Sequence, residues 1–118
     1  MSDDAAVAEQ VVERQMEAYN RQDLDGFLNC YAGSAELRIE GVLAASGKVA
    51  LREIYARQFS EAPVRAKVVS RIRQAEWIAD HERIEGAAGV PLMSVLALYR
   101  VRDGLIDQVQ FFGQRVMD

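Results

Sequence analysis

The chain has 118 residues, half of them hydrophobic and 27% charged, which is ordinary globular composition and the length of one domain spanning residues 1–118, too short for two. Its net charge of −4 disfavours general binding to nucleic acid, which needs concentrated Lys and Arg to neutralise phosphates. One cysteine, Cys30, and one histidine, His81, exclude an internal disulfide, a cysteine-based zinc site and a histidine-rich catalytic metal site.

Any chemistry therefore falls to carboxylates, amides and hydroxyls, and no metal or organic cofactor is expected. The N-terminal stretch MSDDAAVAEQ lacks the basic and apolar regions of a secretory signal, and no apolar run reaches the length of a bilayer crossing. A cytoplasmic protein without membrane contact is the expectation.

Ser2 followed by Asp3 and Asp4 reads as a helix cap with acids in the first turn, where the helix dipole favours negative charge. Ala8, Val11, Val12, Gln15, Met16 and Tyr19 then recur at spacings of three and four, the mark of a helix with one buried stripe. Asp23 can cap a second helix that buries Leu24, Phe27, Leu28 and Tyr31 and stops at Gly33. Cys30 falls in this element as a small, partly buried residue with no basic partner visible that would make its thiol reactive.

Ala35 to Glu40 alternates like a strand, and Gly41 to Ser46 turns it back into a brief partner. Val49, Leu51, Ile54, Tyr55 and Phe59 form a third helical stripe that ends before Pro63, which cannot continue a helix. From Val64 to Arg73, Val64, Ala66, Val68, Ser70 and Ile72 alternate with Arg65, Lys67, Arg71 and Arg73. Strict alternation puts those four basic residues together on an outer, solvated or salt-bridged sheet face.

The stretch Ala75 to Gly113 reads as three further strands. Residues 77–85 alternate throughout, and a second run from Met93 to Val101 follows the break at GAAG and Pro91. Asp103-Gly104 is a strong hairpin signal, because both residues tolerate the positive φ of the tight turns that join antiparallel strands. Leu105 to Phe112 alternates again, with Ile106, Gln108, Gln110 and Phe112 opposed to Leu105, Asp107, Val109 and Phe111. Helices gathered first and strands gathered last predict an α+β fold, with helices packed on one face of a mostly antiparallel sheet.

With the segments AYNRQDLDGFLNCYAGSAELRIEG, SGKVALREIYA and ALYRVRDGLIDQVQFFG, this order resembles the nuclear transport factor 2-like superfamily. That group includes ketosteroid isomerases, polyketide cyclases of the SnoaL type and limonene-epoxide hydrolases. The resemblance implies a curved sheet wrapped around the long N-terminal helix, an apolar pocket at the wide end of the cone, and a homodimer made through the outer sheet face.

Its chemistry is implied in two forms. In the isomerases a carboxylate shuttles a proton while a tyrosine and a protonated aspartic acid hold the developing oxyanion. The likeness puts Gln15 at that tyrosine, Ala97 at that aspartic acid, and the base near Ile39 or Glu40, so classical ketosteroid isomerisation is not expected. In the epoxide hydrolases an arginine and an acid two apart in one strand work with an aspartate in the last strand. Arg83 and Glu85 match the first pair, but the aspartate falls on Gln110, an amide that cannot take a proton at neutral pH.

The two templates turn opposite faces of the strand 76–85 inward. If the preceding hairpin pairs Ile72 with Ile78, then Asp80 and Glu82 point into the cone and His81, Arg83 and Glu85 point out. Buried carboxylates without cationic partners hold their protons more tightly, which would make Asp80 and Glu82 an acid and base pair; the alternative is that both pair with charged neighbours at the cone mouth.

The expected site is therefore Glu40, Asp80 and Glu82 as catalytic carboxylates in a pocket for a small hydrophobic molecule. Met93, Val95 and Tyr99 line it with Ala97, Gln108 and Phe112 line it with Gln110, and Tyr55 closes one side. Isomerisation, cyclisation or hydrolysis by carboxylate acid–base chemistry follows, or else a non-catalytic module that binds a ligand or dimerises in the same cone. On the opposite face, Leu96, Leu98, Val109 and Phe111 form the apolar patch expected to be buried in the homodimer.

Overall fold

The structure, a computed structural model, describes residues 4–61 and 63–117. Helix α1 covers Asp4–Asn20 and buries Ala8, Val11, Val12, Gln15, Met16, Ala18 and Tyr19, the stripe that its spacing demands. The expected cap at Ser2 and Asp3 lies outside the described residues. Asn20 ends the helix and fastens it to the sheet, donating to the Ala66 carbonyl at 3.1 Å and accepting from the Ala66 N–H at 2.7 Å.

Helix α2 is a single turn and a half, Leu24–Leu28. Its cap is Asp23, whose Oδ1 accepts from the Gly26 N–H at 3.0 Å. A Cβ at Gly26 would lie 2.3 Å from that carboxylate, so any larger residue there has to push the Asp23 side chain aside. The helix is shorter than its sequence suggested, because Tyr31 and Gly33 already belong to strand β1, Tyr31–Ile39. The apolar residues after Leu28 keep their burial by changing from helical to extended backbone.

Glu40 and Gly41, both at positive φ (49° and 80°), form the tight turn into β2, Val42–Ser46. Helix α3, Lys48–Glu61, buries Leu51 and Tyr55. Four long strands follow: β3 Arg65–Gln74, β4 Trp77–Glu85, β5 Pro91–Arg102 and β6 Leu105–Val116. Their turns include Asp103-Gly104 with φ of 53° and 75°.

The six strands form one sheet in the order β2-β1-β6-β5-β4-β3, with β1 and β6 parallel and every other pair antiparallel. The fold is α+β, a curved and mostly antiparallel sheet. Helix α1 lies across one face of it, against β3, β4, β5 and β6. Phe27, Leu28, Tyr31, Leu51, Ile78, Ile106 and Val109 are fully buried between the helices and that inner face. No helix among the described residues is long and apolar enough to cross a membrane.

Bulges decide what the inner face carries, since one extra residue reverses every side chain beyond it. In β3, Val68 pairs with Glu82 but Ser70 pairs with His81, so the chain gains a residue at Val69. Ala66 and Val68 face inward before it, whereas Arg71 and Arg73, expected on the outer face with Arg65 and Lys67, face inward after it. The hairpin pairs Ile78 with Arg73 rather than with Ile72.

In β6, Arg100 pairs with Gln108 but Val101 with Ile106, which makes Asp107 the extra residue. The inner residues of β6 are therefore Ile106, Val109 and Phe111, not Ile106, Gln108, Gln110 and Phe112. A second irregularity, between the pairs Leu96–Phe112 and Ser94–Arg115, coincides with Gly113 at φ 62° and brings Gln114 inward. The apolar patch on the outer face accordingly consists of Leu96, Leu98 and Phe112, without Val109 and Phe111.

Candidate active site

Alternation along β4 sends Ile78, Asp80 and Glu82 toward α1, and all three are buried. Ile78 is core. The two carboxylates meet different surroundings although they are neighbours on one face.

Asp80 is fully buried and forms a two-pronged ion pair with the Arg71 guanidinium, Nε to Oδ1 at 2.6 Å and Nη2 to Oδ2 at 2.9 Å. The bulge at Val69 makes this possible by turning Arg71 inward, directly opposite Asp80. Arg71 Nη1 also donates to Glu9 Oε2 at 3.2 Å and to Glu13 Oε1, one helical turn apart on α1, and Arg73 donates to the other oxygen of Glu9 at 2.9 Å. Asp80 thus belongs to an ion cluster that ties β3 and β4 to α1, and it does not line the cavity beside it.

Glu82 does line that cavity, which has a volume of about 310 Å³ and lies between α1, α2, α3 and the inner sheet face. Its walls are largely apolar: Met16 and Phe27 from the helices, Ala66, Ile84, Met93, Val95 and Phe111 from the strands. The polar lining is Glu82, four tyrosines (Tyr19, Tyr31, Tyr55, Tyr99) and three glutamines (Gln15, Gln58, Gln114). Few convergent polar groups on apolar walls is the usual composition of a small-molecule site, and the volume sits at the low end of such sites, roughly 300–1,000 Å³.

Glu82 is 3% exposed, and its Oε2 accepts from the Tyr99 hydroxyl at 2.7 Å. On the inner face of β5, Ala97 stands between Val95, the cross-strand partner of Glu82, and Tyr99; its small side chain leaves room for the phenol to reach back. The carboxyl is pushed up to about 7, mainly by loss of hydration and further by the charge of Asp80, with the Tyr99 hydrogen bond and Arg71 pulling the other way.

The remaining polar groups are hydrogen-bond donors or relays. Tyr31 donates to Gln15 Oε1 at 3.1 Å, and Gln58 donates to the Tyr19 hydroxyl. Burial holds all four phenols in the protonated form, Tyr19 up to about 12 and Tyr31, Tyr55 and Tyr99 higher than usual. Among the described residues no hydrogen bond engages Glu82 Oε1, the Gln15 amide nitrogen or the Tyr55 hydroxyl, and no buried side-chain polar atom lacks a partner. All three are therefore open to the cavity, one acceptor and two donors.

Of the residues singled out from the sequence, the cavity brings together Glu82, Tyr55, Met93, Val95 and Tyr99. Glu40 is not among them: it sits exposed in the β1–β2 turn, where its carboxylate accepts from the Gly113 N–H. Gln108 and Gln110 lie on the outer face, bonded to each other at 3.2 Å, and Phe112 pairs across from Leu96 there; the bulge at Asp107 is the reason. Arg83 and Glu85 face away from the cavity, so the arginine–acid pair of the epoxide-hydrolase template is not assembled in it. Gln15 belongs to the expected stripe of α1 and to the isomerase comparison but not to the expected site, although an amide on an otherwise apolar helical stripe is itself a signal. Tyr31, Phe111 and Gln114 were missed because their placement depends on a helix end and two bulges.

Known structures share this architecture. An LEH-like epoxide hydrolase from M. tuberculosis matches with a TM-score of 0.78 at 14% identity, over 92% of this chain and 83% of that one. A proposed ketosteroid isomerase from Kribbella flavida matches at 0.77 and 12% identity, over 98% and 81%, and a proposed polyketide cyclase from Sinorhizobium meliloti at 0.75 and 18%, over 86% and 93%. Likeness at such identities shows a fold, here the cone of the nuclear transport factor 2-like superfamily, and leaves the chemistry to the site. Within that superfamily the model of the SnoaL-like domain matches residues 12–109, and the chain belongs to the SnoaL-like family. No curated protein matches it.

Proposed function

We propose that the protein is an enzyme that moves protons on a small hydrophobic molecule carrying a carbonyl or epoxide oxygen, with Glu82 as the general acid and base. The observation that supports this reading is one buried carboxylate, pushed up to about 7, whose free oxygen faces the same cavity as the unengaged donors of Tyr55 and Gln15. A group balanced near neutrality is suited to give and take a proton at the pH where it works. With a carbonyl substrate, the Tyr55 hydroxyl and the Gln15 amide hold the oxygen as charge develops on it, while Glu82 Oε1 removes a proton from the adjacent carbon and returns it elsewhere. Gln15 then provides as an amide the donor that the isomerases provide as a phenol. The cyclase, isomerase and epoxide hydrolase among the structural neighbours are compatible with such proton transfers.

The competing reading is a binding module in the same cone. A thermal-shift screen of hydrophobic ketones, lactones and epoxides, followed by turnover assays on the hits, separates the two. Glu82→Gln is expected to keep the fold and ligand affinity while lowering turnover by roughly two to four orders of magnitude, the usual contribution of a positioned acid or base. Ligands that bind without turnover by the wild type would favour the module, and turnover indifferent to Glu82→Gln would leave an enzyme whose proton is carried by another group. We also propose that the outer-face patch of Leu96, Leu98 and Phe112 is covered in a homodimer; Leu96, which is 45% exposed, becomes Asp in the test variant, and light scattering should show dimer turning to monomer.

A further inference from the structure

No Lys, Arg or His lines the cavity, but a groove beside it is lined by three cations. This groove has a volume of about 550 Å³ and lies between the end of α1, the start of β3 and the turn after β4. Ala66 lines both spaces. Elsewhere chain neighbours divide them, with Tyr19 and Ile84 on the cavity and Asn20 and Glu85 on the groove.

Arg21, Arg65 and Lys67 line the groove against a single acid, Glu85. Arg21 is engaged by Asp23 at 3.5 Å with both side chains exposed, which makes a weak pair. Arg65 and Lys67 are exposed and belong to no ion pair among the described residues. By contrast Arg38, Arg71, Arg73, Arg100 and Arg102 of the same sheet each have a carboxylate partner. Lys67 also stands directly opposite Arg83 on β4. Like charges facing each other across strands destabilise a sheet, and an anion beside Lys67 would relieve that repulsion. Ala87 and Ala88 line the groove too, and their N–H groups make no backbone hydrogen bond among the described residues. Successive free N–H groups in a turn that passes through left-handed backbone, here Ala88 at φ 58°, favour an anion.

We infer that the molecule held in the cavity carries an anionic handle, a phosphate or carboxylate on a short chain, which lies in this groove against Arg65 and Lys67. This rests on the cavity holding the hydrophobic part of the substrate. The two spaces suit the two parts. A hydrophobic body gains by leaving water for the cavity, whereas an anion in the open groove keeps part of its hydration and accepts charge-assisted hydrogen bonds from Arg65 and Lys67. Inside the cavity the same anion would meet the Glu82 carboxyl and no cation. The handle therefore orients the substrate, and the end that reaches Glu82, Tyr55 and Gln15 is the one remote from the anion.

The probes are 4-phenylbutyl phosphate, 5-phenylpentanoate and the uncharged 4-phenylbutanol, compared by protein-observed NMR titration. All three should move the signals of cavity residues such as Tyr55 and Val95. Only the anions should also move those of Lys67, Ala87 and Ala88. At about 50 mM salt the preferred anion should bind roughly ten-fold tighter than the alcohol, and at about 1 M salt screening should bring the two within about two-fold. Whichever anion is preferred identifies the handle as phosphate or carboxylate. Arg65→Gln combined with Lys67→Gln changes two exposed side chains, so the fold should persist and the alcohol should bind as before while the preference for the anion disappears. Anions that bind no tighter than the alcohol, a preference that survives the double variant, or groove signals that respond while the cavity stays silent overturns the inference. Because only binding is read, the two readings fail separately: an alcohol that binds as tightly as the anions sinks the handle and leaves the cavity, whereas no binding of any probe at millimolar concentration sinks both.

Discussion

Asp80 and Glu82 lie two positions apart on one face of one strand and are both buried, at 0% and 3% exposed, yet the protein treats them in opposite ways. Asp80 receives a guanidinium across the hairpin and two further acids to hold that guanidinium in place. Glu82 receives a single phenol hydrogen bond and an open cavity. Burial alone therefore does not decide what a carboxylate does; the partner does. The paired one holds strands to a helix, and the unpaired one is left near the midpoint of its titration at neutral pH.

The comparison breaks most visibly if Asp80 loses its partner. Arg71→Met leaves a fully buried carboxylate without a countercharge and is expected to cost about 3–5 kcal/mol, measured by urea unfolding. Arg71→Met combined with Asp80→Leu should recover most of that loss, because replacing both members of a buried pair by apolar groups removes the desolvation penalty along with the attraction. If the single variant lost under about 1 kcal/mol, Asp80 would be no better neutralised than Glu82 and the contrast would collapse.

The next effect belongs to Glu82 and carries the opposite sign from an ordinary ion-paired carboxylate. Its folded-state value is raised from 4.5 to about 7, so the folded protein binds that proton more tightly than the unfolded chain does. The stability due to the bound proton is complete below about pH 4.5 and is lost as pH rises through about 7, a change of order 3 kcal/mol at most. Unfolding curves taken across that window should show Glu82→Gln with a flatter dependence than the wild type and greater stability at the alkaline end. A wild type that gains stability from Glu82 as pH rises would mean that Glu82, too, has found a cation.

This contrast was half legible in the sequence. Alternation along β4 places Asp80 and Glu82 on one inward face, and the helical stripes, the Asp103-Gly104 turn and the order of elements define the α+β cone. The cationic partner of Asp80 was not legible. Strict alternation puts Arg71 outside, and the inserted residue at Val69 that turns it inward has no local signature, since Val-Val-Ser reads as uninterrupted strand. The same blindness misplaced Gln108, Gln110 and Phe112, because the bulge at Asp107 looks like ordinary alternation until β5 supplies the pairing. Glu40 was placed in the site by analogy, but the positive φ that its turn demands leaves it exposed.

A smaller change tests whether the two regions communicate. Asp80→Asn removes a negative charge near Glu82 while Glu9 and Glu13 still neutralise Arg71, so the fold should persist. The Glu82 carboxyl, followed by carbon-detected NMR titration, should move down toward the ordinary carboxylate range, because the charge of Asp80 is one of the influences holding it up. An unmoved titration would show that the ion cluster is electrostatically silent in the cavity and that burial alone tunes Glu82.

The smallest change separates hydrogen bonding from burial within the cavity. Tyr99 donates to Glu82 Oε2 at 2.7 Å, and a donor of that kind favours the charged form of the carboxyl. Tyr99→Phe keeps the ring and removes the hydroxyl, so the same titration should move Glu82 upward, opposite to the effect of Asp80→Asn. Turnover should then persist with its basic limb displaced to higher pH if the protonated acid drives the reaction, whereas an acidic limb displaced upward would show that the carboxylate form does. The pair of variants thus moves one group in both directions without touching the oxygen that faces the ligand. If Tyr99→Phe left the titration in place while Asp80→Asn shifted it, the phenol would be a structural partner only, and the ion cluster would be the element that sets Glu82.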